Sequence, residues 1–157
     1  MHKSLAIAIL LAVTTANAQD KHSLDSVDDI IFRTIINPAE EAVNGQEPAW
    51  TAIQQQIRAG YTDVQTDRAL TKARIYYYFG KDWLKFSAAI VHYTEAFENK
   101  EDLPLMNKNA KMILQHSQDP KEWKTALAWV QHAVDKEPGN LTYKTTADGL
   151  KAKINGQ

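Results

Sequence analysis

The chain has 157 residues, the size of a single domain, with 18 basic and 19 acidic side chains. That balance lacks the basic excess of a nucleic-acid binder. There is no cysteine, which excludes disulfides, thiol chemistry and lipid attachment through a cysteine.

The first segment carries the marks of export. Lys3 supplies a positive start, and Leu5 to Val13 form an unbroken apolar run of nine residues. A run of that length is too short for a membrane's hydrocarbon core, which needs about 20 residues. Ala16-Asn17-Ala18 follows and fits the small-residue pattern cut by signal peptidase. The expectation is a signal peptide over 1–18, cleaved after Ala18, and a periplasmic or secreted mature form beginning at Gln19 without a membrane anchor. Loss of Lys3 takes the formal net charge from −1 to −2. The roughly 139 remaining residues are enough to build an apolar core.

Helix follows helix from there on. Ser23 or Ser26 can cap a first helix running to Ile36, with Val27, Ile30, Ile31 and Ile35 at helical spacing and Asn37-Pro38 as its end. Asn44-Gly45-Gln46 reads as a turn and as the boundary between an N-terminal helical segment (19–46) and the main domain (47–157). Pro48 opens a helix containing Trp50, Ile53 and Ile57, which Gly60 closes. Further helices are predicted at 63–79, 82–98, 102–117, 121–137 and 141–155. No alternating strand pattern competes with them.

Shifted by 37 residues, the chain lies over itself. Ala73 falls on Ala110 and then Ala147, and Tyr76 on Ile113 and then Leu150. Phe86 meets Trp123, Ala89 meets Ala126, Ile90 meets Leu127, Tyr93 meets Val130, and Ala96 meets Ala133. A fixed period of this length is the mark of stacked helical hairpins. Ala89 and Ala96 lie two helical turns apart, so they share a face with Tyr93. Small residues there allow close helix approach, and large neighbours fill the grooves beside them.

These residues carry a family resemblance. The run from Ala126 to Pro138, with alanines seven apart and a proline five further on, resembles the second helix of a tetratricopeptide repeat. Residues 48–156 are similar to the helical C-terminal region of exported bacterial thioredoxin-family proteins. The matching pieces are PAWTAIQQQI, KARIYYYFGKDWLKF, the SQDP turn, ALAWVQHAVDKEP and TADGLKAKING. The resemblance implies an all-α, TPR-like superhelix of about two and a half hairpin repeats. It implies a scaffold without the redox role, because Gln19 to Glu47 is too short for a thioredoxin domain and there is no Cys-x-x-Cys. The polar segment 141–155 reads as a terminal capping helix, so the chain is expected to be complete there.

Candidate chemistry is sparse. His22, His92, His116 and His132 form no close pair of the H-E-x-x-H kind, although His92 and His132 could approach across neighbouring hairpins. They read as hydrogen-bonded or exposed residues. No serine elbow, phosphate-cradling glycine loop or calcium loop is present. Asp25, Asp28 and Asp29 cluster near a helix start, where they favour the dipole. In the run Tyr76-Tyr77-Tyr78-Phe79, successive residues point about 100° apart, so the four cannot share one core. Tyr76 aligns with core positions, which leaves Tyr77 or Tyr78 for a neighbouring helix or a binding groove. Asn140-Leu141-Thr142 fits the glycosylation pattern and reads as idle in a bacterial export setting.

The expectation is therefore an exported, non-enzymatic adaptor with no cofactor and no metal, holding a protein or peptide partner, acidic or C-terminal, in a helical-repeat groove. Arg74 and Tyr78, Asn107 and Lys111, and Lys144 are the residues predicted to line it, since residues four apart share a face. The alternatives are an accessory subunit of a separate thioredoxin-like protein and a hydrolase relying on His92 or His132.

Overall fold

The computed structural model describes residues 27–156, and the expected signal segment, Gln19, Ser23 and Ser26 lie outside them. The described residues form helices joined by turns, with no strand among them. Residues up to Leu70 and residues from Thr71 onward make two compact units, so the turn at 44–46 falls inside the first.

In the first unit the opening helix does not end at Asn37-Pro38. Residues 27–31 are helical, Phe32–Ile36 is π-helical, and α1 continues through Asn37–Ala42. A proline inside a regular α-helix clashes with the carbonyl four residues earlier and removes a donor. Here the turn widens first, and Asn37 N–H reaches back five residues to Phe32 O. Pro38 thus enters in the first turn of α1, where its missing N–H costs little. Within the π stretch, Thr34 Oγ1 donates to Ile30 O at 2.8 Å and Arg33 Nε to Asp29 O at 3.2 Å. Helix α2 covers Trp50–Arg58 and buries Trp50, Ile53 and Ile57, as their spacing predicts. Ile31 and Ile36 are buried in the same unit.

Of the acidic cluster, Asp25 lies outside the described residues, and Asp28 and Asp29 differ from each other. Asp28 is 0 % exposed and pairs with Arg68 at 3.0 Å, whereas Asp29 stays in solvent. A carboxylate deprived of water needs such a partner.

Helix starts are set by side chains that satisfy the orphan N–H groups. Thr62 and Gln65 bond reciprocally (3.0 and 3.3 Å) in a capping box ahead of α3, Asp63–Tyr78. Asp82 accepts from Lys85 N–H before α4, Trp83–Phe97. Asp102 accepts from Leu105 N–H before α5, Leu103–His116. Asp119 caps α6, Pro120–Lys136, and Asn140 caps α7, Leu141–Asn155. Pro104 and Pro120 occupy first turns, where proline is tolerated.

In the second unit α4 packs on α5, α5 on α6 and α6 on α7, and α4 also touches α6 and α5 touches α7. Short connections make neighbours antiparallel, so alternate helices run the same way. This is a helical-repeat-like stack. Ala73, Ala110 and Ala147 are buried at equivalent points, as are Phe86 with Trp123 and Ala89 with Ala126. Helices α5 and α7 approach closely at Gly149, where a Cβ would fall 2.8 Å from Leu114 Cδ2.

The 37-residue register fails most clearly at two positions. Ala96 is exposed although Ala133 is buried. Helix α4 buries Phe86, Ser87, Ala89, Ile90 and Thr94, and α6 buries Trp123, Ala126, Trp129, Val130 and Ala133. The two stripes agree over Phe86/Trp123 and Ala89/Ala126 and part in the second half of the helices, where α4 turns Thr94 inward and α6 turns Ala133 inward. Tyr76 is 65 % exposed and Tyr78 5 % exposed, the reverse of the expected order.

Candidate binding trough

The helix register that buries Tyr78 turns Tyr76 outward, over an open trough of about 510 Å³ bordered by α3, α4 and α5. Each helix contributes one stripe at the spacing that keeps side chains on a common face. Lys72 and Tyr76 come from α3, with Phe79 just past its end. Leu105, Lys108 and Met112 come from α5, and Phe86, Ile90 and Tyr93 of α4 lie between.

Phe79 is 55 % exposed yet held in place by other rings. It meets Trp83 edge-on at 5.6 Å and Phe86 at 5.5 Å, and Trp83 stacks flat on His116 at 3.7 Å. The lip of the trough is thus a braced aromatic surface, and His116 has a structural part in it. Lys72 and Lys108 stand on opposite walls, and Glu98 is the carboxylate among the lining residues.

The residues predicted to line a groove are distributed differently. Arg74 and Tyr78 come together with Lys85, Ala88, Ala89 and His92 around a separate cavity of about 300 Å³. Asn107 is buried at 8 % exposure, and Lys111 and Lys144 are exposed on α5 and α7, lining neither space. The reason is geometric. Ala73 faces the interior as expected, but a helix has two flanks beside its core-facing line. Lys72, Tyr76 and Phe79 lie on one flank and border the trough, while Arg74 and Tyr78 lie on the other. Spacing along the sequence does not distinguish the two.

His22 lies outside the described residues, and the other three histidines serve separate neighbourhoods. His92 lies edge-on to Phe97 at 6.2 Å, and His132 Nε2 is 3.1 Å from Glu101 Oε1, with Lys136 also on Glu101 at 3.7 Å. Among the described residues no group of three His, Asp or Glu side chains is placed to hold a metal ion, and no helix is long and apolar enough to cross a membrane. Asn140, the candidate sequon residue, uses its side-chain oxygen to cap Thr142 and Tyr143 N–H, and its amide donates to Glu137 at 3.0 Å.

A further polar junction ties α4 to α6. Lys100 Nζ donates to Thr94 O at 2.6 Å and to Glu95 Oε1 at 2.8 Å, and Trp129 Nε1 donates to the same carboxylate oxygen. The Lys100 hydrogen bond, aided by Trp129, holds the Glu95 carboxyl below the usual range against a smaller opposing effect of burial.

Comparison of the chain with protein-family models, curated proteins and solved structures returns no match.

Proposed function

We propose that the chain is an exported, non-enzymatic adaptor with a TPR-like superhelix, and that it docks an acidic, apolar-bearing segment of a partner protein in the trough between α3 and α5. The observation that carries this reading is the exposed aromatic lip, Tyr76 and Phe79, over a cavity of about 510 Å³. Ring surface left in water and gathered around a concavity marks a place of contact. The volume falls within the ~300–1,000 Å³ range of ligand pockets, enough for a few side chains.

Electrostatics supports the choice of occupant. Lys72 of α3 and Lys108 of α5 both border the trough, so a carboxylate on the incoming segment would be drawn to their charge while its apolar neighbours cover Tyr76 and Met112. The export signal expected over residues 1–18 supports looking for such a partner in the envelope.

The test is capture of the mature protein's partner from an envelope extract, followed by affinity measurement with variants. Tyr76→Ser with Phe79→Ser should weaken binding by at least an order of magnitude, while Lys111→Ala with Lys144→Ala should leave it unchanged. The reverse pattern would remove the trough from the account.

A further inference from the structure

The chain contains two Asn–Gly pairs, Asn44-Gly45 and Asn155-Gly156, and the fold treats them differently. Asparagine followed by glycine is the pair most open to spontaneous deamidation, because no side chain shields the following amide nitrogen. That nitrogen loses its proton and attacks the asparagine Cγ. The N–Cγ bond closes a five-membered succinimide, the Cγ–Nδ2 bond breaks, and ammonia departs. Water then opens the ring at either carbonyl and leaves aspartate or isoaspartate. Overall one water is consumed and one ammonia released, with no change of oxidation state. The step requires an accessible asparagine and an amide N–H that is not tied into a hydrogen bond.

Both conditions meet at Asn44. The residue is exposed and sits in the turn between α1 and α2 with φ 48°, followed by Gly45 at φ 84°. The hydrogen bonds of the turn run from Asn44 N–H to Glu41 O (3.3 Å) and from Gln46 N–H to Val43 O (3.0 Å). They flank Gly45, whose own N–H donates to no group among the described residues. The surroundings of Gly45 are open, with no atom within 4 Å of where a Cβ would stand.

Asn155 is exposed as well but fails the second requirement. It is the last residue of α7, held in helical backbone, and Gly156 N–H donates to Ala152 O at 3.0 Å. Attack there first requires the end of the helix to open.

We propose that Asn44 is a spontaneous modification site of the folded protein, converting to isoaspartate and aspartate well ahead of Asn155. The product places a new carboxylate in a turn already flanked by Glu41 and Glu47 and, as isoaspartate, lengthens the backbone joining α1 to α2 by one methylene.

The experiment incubates the purified full chain in mildly alkaline and mildly acidic buffer and follows both sites by peptide mapping, which reads the gain of about one mass unit and separates isoaspartate from aspartate. Conversion at Asn44 should outrun that at Asn155 by at least an order of magnitude and accelerate with pH, since the attacking nitrogen must be deprotonated. In denaturant the two sites should convert at similar rates, which ties the difference to the fold. Equal rates in the folded protein, faster loss at Asn155, or a difference that survives denaturation would each overturn the proposal.

Discussion

The Asn109 side-chain amide donates to Thr94 Oγ1 at 2.9 Å in the buried contact between α4 and α5. Both residues are buried, and the bond holds the second half of α4 with Thr94 inward and Ala96 outward. Thr94→Val keeps the shape but strands the Asn109 donor, which should cost about 1–3 kcal/mol. Adding Asn109→Leu should recover part of that loss. Denaturant melts of the single and double variants check the coupling, and simple additivity would argue against the pair.

The alanines test the same register. Ala126 and Ala133 are buried where helices meet, so Ala126→Leu or Ala133→Leu should overpack the contact and cost about 1–3 kcal/mol. Ala96 is exposed, and Ala96→Leu should change stability by no more than about 0.5 kcal/mol. Thermal melts separate the two outcomes.

In the first unit, Asp28→Ala should be among the most damaging single changes, at about 3–5 kcal/mol, because it breaks a buried ion pair by removing the carboxylate 3.0 Å from Arg68. Asp29→Ala, on the neighbouring exposed residue, should have little effect. Comparable losses for the two would contradict the buried pair.

Acid sensitivity should depend partly on Glu95. Its folded-state pKa is lowered, chiefly by the hydrogen bond from Lys100. A group with a depressed folded pKa adds stability that is fully present above its unfolded pKa and fades as pH falls through the folded one. The carboxylate is about half exposed, so solvent screening keeps the effect to about 1 kcal/mol or less. Glu95→Gln should therefore lower the melting temperature slightly at neutral pH and converge with the parent below the ordinary carboxylate range. A gap that widens in acid would carry the wrong sign.

Much of the fold was legible because its determinants are local. The 37-residue recurrence of Ala73, Ala110 and Ala147 located three equivalent core points, and Pro48 with Trp50, Ile53 and Ile57 marked a helix. The Asp82, Asp102, Asp119 and Asn140 caps stand in the sequence one residue before their helices and could have sharpened those four starts. What escaped depends on contacts distant in sequence. The pairing of Asp28 with Arg68 is 40 residues long in sequence, and periodicity around Ala73 is symmetric with respect to the two flanks. The burial of Tyr76 and Tyr78 was exchanged for that reason. Pro38 misled because a π-helical turn can absorb a proline that would stop an ordinary helix.

The most direct test of the adaptor reading is photo-crosslinking in the intact envelope, with a benzophenone side chain introduced at Tyr76, Lys111 or Lys144 in turn. If the trough is the docking surface, position 76 should yield a discrete crosslinked partner, competed by the unlabelled mature protein, while positions 111 and 144 yield none. Discrete crosslinks from 111 or 144 with none from 76 would contradict it.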